Sequence, residues 1–333
     1  MKIISIDNNS ALPLYKQIVR SIHRGIEKGA LKQGDLLPSV NQIAAEFSLA
    51  RGSVFSAYNE LRATGIIDSI PGKGYFVTGT QVQQKTNIFL LFSTFTPYKE
   101  IIYNSFVKHL NGCCNIDIYF HHHNIQQFET LIREQAGYYN TFVIMPEIHP
   151  DTLKILSTLN QKRVFLLDVG INEYGHLYPG VCQHFEKDIL DILSTHHKVF
   201  EKYKRLVLVF PSHVRSTGIV TGFKKFTKKE KISSLVVDTL HTKDIRKHDA
   251  YIVIDDNDLV TVIQKCKQMN WTLGNELGVI SYNETALKSV IADGITTISS
   301  DFEAMGRNLA DMILNNERKL IANSFILVER QSI

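Results

Sequence analysis

Cysteine is scarce. The 333 residues include only Cys113, Cys114, Cys182 and Cys266, with no C-x-x-C pair of metal-binding type. Adjacent cysteines are poor disulfide mates, and all four fit a reduced compartment. No run of about 18 apolar residues occurs, which excludes a membrane-spanning helix. The first ten residues carry Asp7 and two asparagines where a secretion signal needs an apolar core. The chain therefore reads as unprocessed and cytoplasmic. Also missing are the G-x-x-x-x-G-K-[ST] phosphate loop, a G-x-G-x-x-G turn opening a helix after a strand, and the G-x-S-x-G nucleophile elbow. Nothing calls for a cofactor. Three histidines in a row, His121 to His123, and the pair His196 and His197 suggest a metal at first sight. Successive residues on a strand point to opposite faces, so three cannot converge on one ion, and no metal is expected.

What is present is ordinary globular material, 44% apolar and 21% charged, long enough for two or three domains. Net charge is only +4. Residues 1–78 hold nine Lys or Arg against six Asp or Glu, an excess of three that leans toward a polyanionic partner.

The same segment has a legible order. Pro13 suits a first helical turn, and Leu14, Ile18, Ile22 and Ile26 repeat every four residues as one apolar stripe. Ser39 is an N-cap for a short helix with Val40, Ile43, Ala44 and Phe47 inward. After a turn at Ser48 and Leu49, a third helix runs from about Ala50 to Thr64, and Gly65 ends it. Two short β-rich runs, Ile66 to Ile70 and Tyr75 to Val77, flank Pro71-Gly72-Lys73-Gly74 as a hairpin tip. A helix-turn-helix followed by such a hairpin is a winged helix. Arg51 opens the third helix, the part that enters a major groove. Arg20 and Arg24 on the first helix read more simply as its solvated face.

Beyond a polar stretch at 79–86, read as a linker, short apolar runs alternate with helical ones. The runs are Ile88 to Phe92, Ile116 to Phe120, Phe142 to Met145 and Val164 to Val169, then a second series from Leu206 to Ser281. Alternation of this kind means parallel sheets covered on both faces, here in two lobes. Ligands in such folds sit outside the carboxyl ends of the strands. Asp255 and Asn283 follow strands of the second series. Glu147 and Asp168 close strands of the first, and Phe95 and Tyr98 follow its opening strand. Each could instead cap the next helix.

Two resemblances rest on these residues. Pro13-Leu14-Tyr15, Gly34, Leu37-Pro38-Ser39, Ala44, Arg51, Ser53-Val54, Ala57-Tyr58, Leu61, Gly65, Gly72-Lys73-Gly74 and Phe76-Val77 resemble the DNA-binding domain of the GntR family. That resemblance implies operator DNA as partner, with Ser39, Asn41, Arg51, Ser53, Gly72 and Lys73 as contacts. Family members often carry Arg where this chain has Asn41, so that contact is expected to differ. Gly222-Phe223, Asp249-Ala250, Ile254-Asp255-Asp256, the run from Gly278 to Glu284, Ile295 to Ile298, Asp301-Phe302 and Met305-Gly306 resemble the sugar-binding domain of LacI-type repressors and periplasmic binding proteins. Three positions depart from that pattern. Ile219 stands where an Arg usually grips hydroxyls, His184 where Asp is common, and Asp255 where Asn is common. Arg215 or His213 is the candidate replacement for the missing Arg.

Together they imply a multi-domain chain. An α+β winged helix-turn-helix over 1–78 is followed, after the 79–86 linker, by a two-lobed α/β periplasmic-binding-protein-like body with parallel sheets over 87–333. The implied function is a homodimeric transcription regulator, a repressor released when a small monosaccharide-type effector binds between the lobes. Tyr98, Glu147, Asp168, Arg215, Asp255 and Asn283 are its effector-binding candidates. The competing readings are a DNA-tethered enzyme acting on a sugar or nucleotide, and a solute-carrying protein, which would need an export signal.

Overall fold

The computed structural model describes residues 3–7, 10, 12–63, 65–78, 86–135, 139–170, 174 and 177–333. The expected linker lies outside them except for Thr86, which opens a strand. By its contacts the chain falls into two units, residues 1–87 with 130–140, and residues 88–129 with 141–333.

In the first unit, α1 (Leu14–Glu27), α2 (Val40–Glu46) and α3 (Arg51–Ala63) precede a hairpin of β1 (Ile67–Ile70) and β2 (Gly74–Val77). The four-residue stripe of α1 is the core: Ile18 and Ile22 are fully buried, beside Val54, Ala57, Tyr58 and Leu61 of α3. Leu14 is only half-buried. The α2–α3 turn passes through Ser48 in the left-handed region, φ 54°. The hairpin is antiparallel, pairing Ile67 with Val77 and Ile70 with Gly74. A third extended segment braces it, because Leu37 N–H donates to Tyr75 O at 2.8 Å and Gly34 N–H to Val77 O at 2.8 Å. Gln17 is a buried polar residue that periodicity does not reveal. Its side chain takes up the backbone of Asp7 and Leu12 and so ties the N-terminal segment to α1.

The chain from Thr86 onward has two six-stranded sheets. Its elements run in chain order as β3 (Thr86–Phe92), α4 (Pro97–Leu110), β4 (Cys114–Phe120), α5 (Ile125–Gln135), β5 (Thr141–Ile144), α6 (Thr152–Leu156), β6 (Val164–Gly170) and β7 (Gly180–Gln183). Then come α7 (Phe185–Thr195), β8 (Arg205–Val209), α8 (Gly218–Lys229), β9 (Ser234–Val237), β10 (Asp249–Val253), α9 (Asp256–Met269), β11 (Gly278–Tyr282) and β12 (Thr296–Ser300). α10 (Phe302–Leu314), β13 (Leu320–Ala322) and β14 (Phe325–Val328) close the chain. One sheet has the order β13-β7-β6-β5-β3-β4, the other β14-β12-β11-β10-β8-β9. The second sheet is parallel through β9, β8, β10, β11 and β12, and β14 pairs antiparallel with β12.

The lobes are not consecutive halves of the chain. After β12 the chain returns to the first lobe, where Phe302, Met305, Leu309 and Met312 of α10 complete the core around Ile102 and Phe106 of α4. A Cβ at Gly306 would lie 2.8 Å from Phe106 N and closer still to Ile102 O, so only glycine lets α10 lie this near α4. β13 then joins the first sheet and β14 the second. The chain therefore crosses between lobes three times, after Gln183, Ser300 and Ala322.

Candidate functional site

The first unit presents its six DNA-contact candidates on its exterior. Ser39 and Gln42 form a capping box at the start of α2: Ser39 Oγ accepts from Gln42 N–H at 3.2 Å, and Gln42 Oε1 accepts from Ser39 N–H at 2.7 Å. The Ser39 hydroxyl proton is left to donate. Asn41 and Arg51 are exposed, the latter as the first residue of α3. Ser53 is half-buried. Gly72 and Lys73 form the exposed hairpin tip, and Gly72 has φ 80°, a conformation that favours glycine. The core residue Tyr58 positions α2, since its hydroxyl donates to Pro38 O at 2.6 Å, one residue before the cap.

In the second unit a cleft of about 340 Å³ opens between the two sheets, at the carboxyl ends of their strands. That volume is in the range of small-molecule sites. All six effector candidates line it, as do His213 and Ile219, whereas Phe95 does not. His184 stands beside it at the start of α7.

The local backbone explains how the polar groups reach the cleft. Asp168 has φ 52° and sits where the β6–β7 register shifts between Leu167 and Gly170. A bulge there turns its side chain out of the alternation of the strand. Its Oδ2 accepts from Tyr98 O–H at 3.1 Å and its Oδ1 from Gln183 Nε2–H. Burial raises the Asp168 carboxyl above its ordinary value, against the pull of Lys99 and of both hydrogen bonds. Asn283 is also left-handed, φ 64°, a conformation Asn tolerates better than most residues. Asp255 occupies the N-cap position of α9 yet makes no side-chain cap bond, and instead faces His213 Nε2 at 3.4 Å. Glu147 is 6% exposed and accepts from His123 Nδ1 at 3.0 Å. His121 lies behind it, fully buried, its pKa lowered to about 4 by burial. Arg215 is exposed in the loop before α8.

Two cleft lysines escape a reading of the sequence. Lys99 is 3% exposed, and its ammonium donates to Ser93 Oγ at 2.7 Å and Thr94 Oγ1 at 3.1 Å. Burial pushes its pKa down to about 8, with Asp168 opposing. A basic residue in the first turn of a helix opposes the macrodipole, and that misfit was the available signal. Lys288, also 3% exposed, donates to Tyr282 O at 2.9 Å and Asn283 O at 2.8 Å and pairs with Asp256 at 2.9 Å. It holds the Asn283 turn in place. Tyr282 is 5% exposed and lines the cleft, and its hydroxyl has no hydrogen-bond partner among the described residues. Among the described residues no group of three or more His, Cys, Asp or Glu could hold a metal, and no helix is long and apolar enough to cross a membrane.

Comparison with known proteins agrees with this division. Residues 14–77 match the family model for bacterial regulatory proteins of the gntR family, and residues 196–333 match that of a periplasmic binding protein-like domain. The HTH-type transcriptional repressor YtrA of Bacillus subtilis (strain 168) is 37% identical over 75 residues, 22% of this chain and 58% of that protein. The chain thus spans less than two thirds of this relative. Among solved structures, the Lac repressor bound to ONPG in the repressed state superposes with a TM-score of 0.63 at 15% identity, covering 85% of this chain and 90% of that one. A periplasmic binding protein/LacI transcriptional regulator from Alkaliphilus metalliredigens QYMF, complexed with D-xylulofuranose, gives 0.59 at 13% identity over 74% of this chain and 99% of that one. These likenesses are of fold. Residues 14–77 thus match a gntR-family helix-turn-helix model and residues 196–333 a periplasmic binding protein-like model, and the body shares its fold with the Lac repressor.

Proposed function

We propose that the chain is a transcription regulator of the cytoplasm, a homodimeric repressor that leaves its operator when a small polyhydroxylated ligand of monosaccharide size occupies the cleft. One observation carries the reading. A DNA-binding head shares its chain with a cleft walled on both sides by polar side chains at strand ends. The YtrA relative is named as a repressor, and the Alkaliphilus structure was solved with a sugar, which supports both halves. A turnover assay with candidate sugars separates this reading from a DNA-tethered enzyme, because a regulator binds its ligand without consuming it.

The head reading is tested on a duplex selected from random DNA. Arg51 can fork two hydrogen bonds onto guanine, so Arg51→Ala is expected to cost about 1–3 kcal/mol and to relax preference at one base pair. Lys73→Ala is expected to weaken all duplexes alike and to flatten the salt dependence by about one unit. Unchanged affinity and preference for Arg51→Ala would remove this docking.

The switch obeys linkage. A ligand shifts the equilibrium between open and closed lobes only by its differential affinity for them. A coupling of about 1–3 kcal/mol corresponds to operator binding weakened about 5- to 150-fold, and operator must weaken ligand binding by the same factor. Fluorescence anisotropy with labelled operator, with and without saturating sugar, measures one side of that identity. Calorimetric titration of sugar into protein with and without operator measures the other. A sugar that binds the cleft yet leaves operator affinity within twofold would remove the switch.

A further inference from the structure

Charge is spread unevenly over the chain. Residues 196–248 hold thirteen Lys or Arg against four Asp or Glu, an excess of nine where the whole chain has +4. The rest is therefore net negative, even with the basic head. The cleft does not account for this excess, since His213 and Arg215 are the basic cleft residues of the segment. The topology gathers much of it at one end of the second sheet. β9, β8 and β10 are adjacent and parallel, so the residues that lead into them share the end opposite the cleft. Lys231 leads into β9, Lys204 into β8, and Arg246 and Lys247 into β10. Backbone bonds tie these entries together: Lys204 N–H donates to His248 O at 2.7 Å and Leu206 N–H to Ser233 O at 2.9 Å. α8 and α9 start at the cleft and run back, which puts Lys228 and Lys267, each in a last turn, at this same end. The two helices lie on opposite faces of the sheet, α8 over Leu206 and Leu208 and α9 over Val207 and Val209. All six side chains are exposed. Among the described residues none of them has an ion-pair partner, whereas Arg205 and Lys229 pair with Asp249 and Glu230. Glu201, Asp244 and Glu276 are the other carboxylates nearby, too few to neutralise the face.

We infer that this end of the second lobe is a second surface for duplex DNA, indifferent to sequence and separate from the head. The six charges lie across three strand entries and two helix ends, so the partner is an extended polyanion and not a small anion. Duplex DNA carries one negative charge per about 1.7 Å of its axis, dense enough to meet such a spread. Five of the six are lysines, point charges that suit phosphates and lack the fork that reads a base edge. A single strand would want exposed aromatic rings to stack on, and Phe200 and Tyr203 at this end are buried. A protein partner would want an apolar patch at the centre of the contact, and the large exposed apolar side chains nearby, Leu235 and Met269, belong to different elements. The choice of DNA rests on the reading of the head given above. A chain whose head is held on an operator meets further duplex at high effective concentration, so a weak second surface is enough to join two stretches of DNA.

The test uses the full chain with its head saturated by unlabelled selected operator. A labelled random-sequence duplex of about 30 base pairs is then added at about 50 mM salt and followed by anisotropy. The expected result is that the second duplex joins the operator complex and leaves it steeply as salt rises. The triple variant Lys204→Glu, Lys231→Glu, Lys247→Glu is expected to weaken this second binding at least tenfold, to flatten its salt dependence by about two to three units, and to leave operator affinity within twofold. A charge-matched control on the first lobe, Lys108→Glu with Lys154→Glu and Lys162→Glu, is expected to weaken it less than threefold. A control that loses as much as the triple variant shows an effect of net charge and overturns the inference. So does a wild-type operator complex that takes up no second duplex, a result that requires no variant to fold and leaves the head reading standing. Poly-L-glutamate bound as tightly as the duplex would give the face to acidic protein and overturn the assignment to DNA. If the head selects no duplex at all, the head reading falls, and whether random-duplex binding survives the triple variant still decides for or against this surface.

Discussion

Tyr58→Ala is expected to abolish operator binding while leaving the response of the body to its ligand intact. Tyr58 is fully buried in the head, its ring edge-on to Tyr75 at 4.6 Å between centroids. Replacing a buried aromatic ring by alanine costs about 3–5 kcal/mol through lost burial and the cavity left behind. That is a large share of the stability of so small a unit. The substitution also strands the Pro38 carbonyl, which accepts from the Tyr58 hydroxyl just before the α2 cap. Loss of this anchor frees the segment that presents Ser39 and Asn41. Tyr58→Phe keeps the ring and loses only the hydrogen bond, so a loss near 1 kcal/mol is expected there. Anisotropy on the selected operator, beside sugar-induced thermal shift of the same protein, separates the two effects. Operator affinity within twofold of wild type for Tyr58→Ala would show that the head does not depend on this core.

The second large effect is expected at the cleft. Asp255→Ala and Asn283→Gly should bind operator as wild type does and fail to let go. Neither side chain is needed for its own element. Asp255 makes no cap bond to α9, and Asn283 owes its left-handed turn to a backbone that glycine adopts at least as readily. Alanine at position 283 would add backbone strain of about 1–2 kcal/mol and blur the result. A lost hydrogen bond to a charged group is worth about 1.5–3 kcal/mol, which moves the sugar concentration for half-release about 10- to 100-fold at Asp255. The neutral amide of Asn283 is worth less, about 0.5–1.5 kcal/mol. If both variants release operator at wild-type sugar concentrations, the ligand is held elsewhere.

Local pattern made the head readable. The spacing of Ile18, Ile22 and Ile26 needs only the helical repeat, and Gly72 and Gly74 announce a turn wherever it lies. The six cleft candidates were readable for a related reason: in a parallel α/β lobe, strand ends face the ligand, and strand ends show as the point where an apolar run stops. Lys99 and Lys288 were harder to read: only the place of Lys99 in the first turn of α4, against the macrodipole, hinted at it, and no local pattern marked Lys288. Their burial comes from segments distant in sequence that close over them. Tyr282 belongs to a run whose resemblance was noted, but its bare hydroxyl exists only in three dimensions. The return of α10 to the first lobe was invisible for the same reason. An amphipathic helix reveals that it has a core to cover, and says nothing of which one.

That return has a consequence for how the protein is made. Ser105 of α4 donates at 2.7 Å to the carbonyl of Glu303, 198 residues downstream. While a ribosome is still delivering the second lobe, the first has all its strands but β13 and lacks the helix that seals them. At about 5–20 residues per second this interval lasts on the order of ten seconds or more. Throughout it, the apolar face of α4 around Ile102 and Phe106 stands bare to anything sticky nearby. The nascent chain is therefore most vulnerable in its middle age, and a chaperone that holds it would be released by the arrival of residues 302–314.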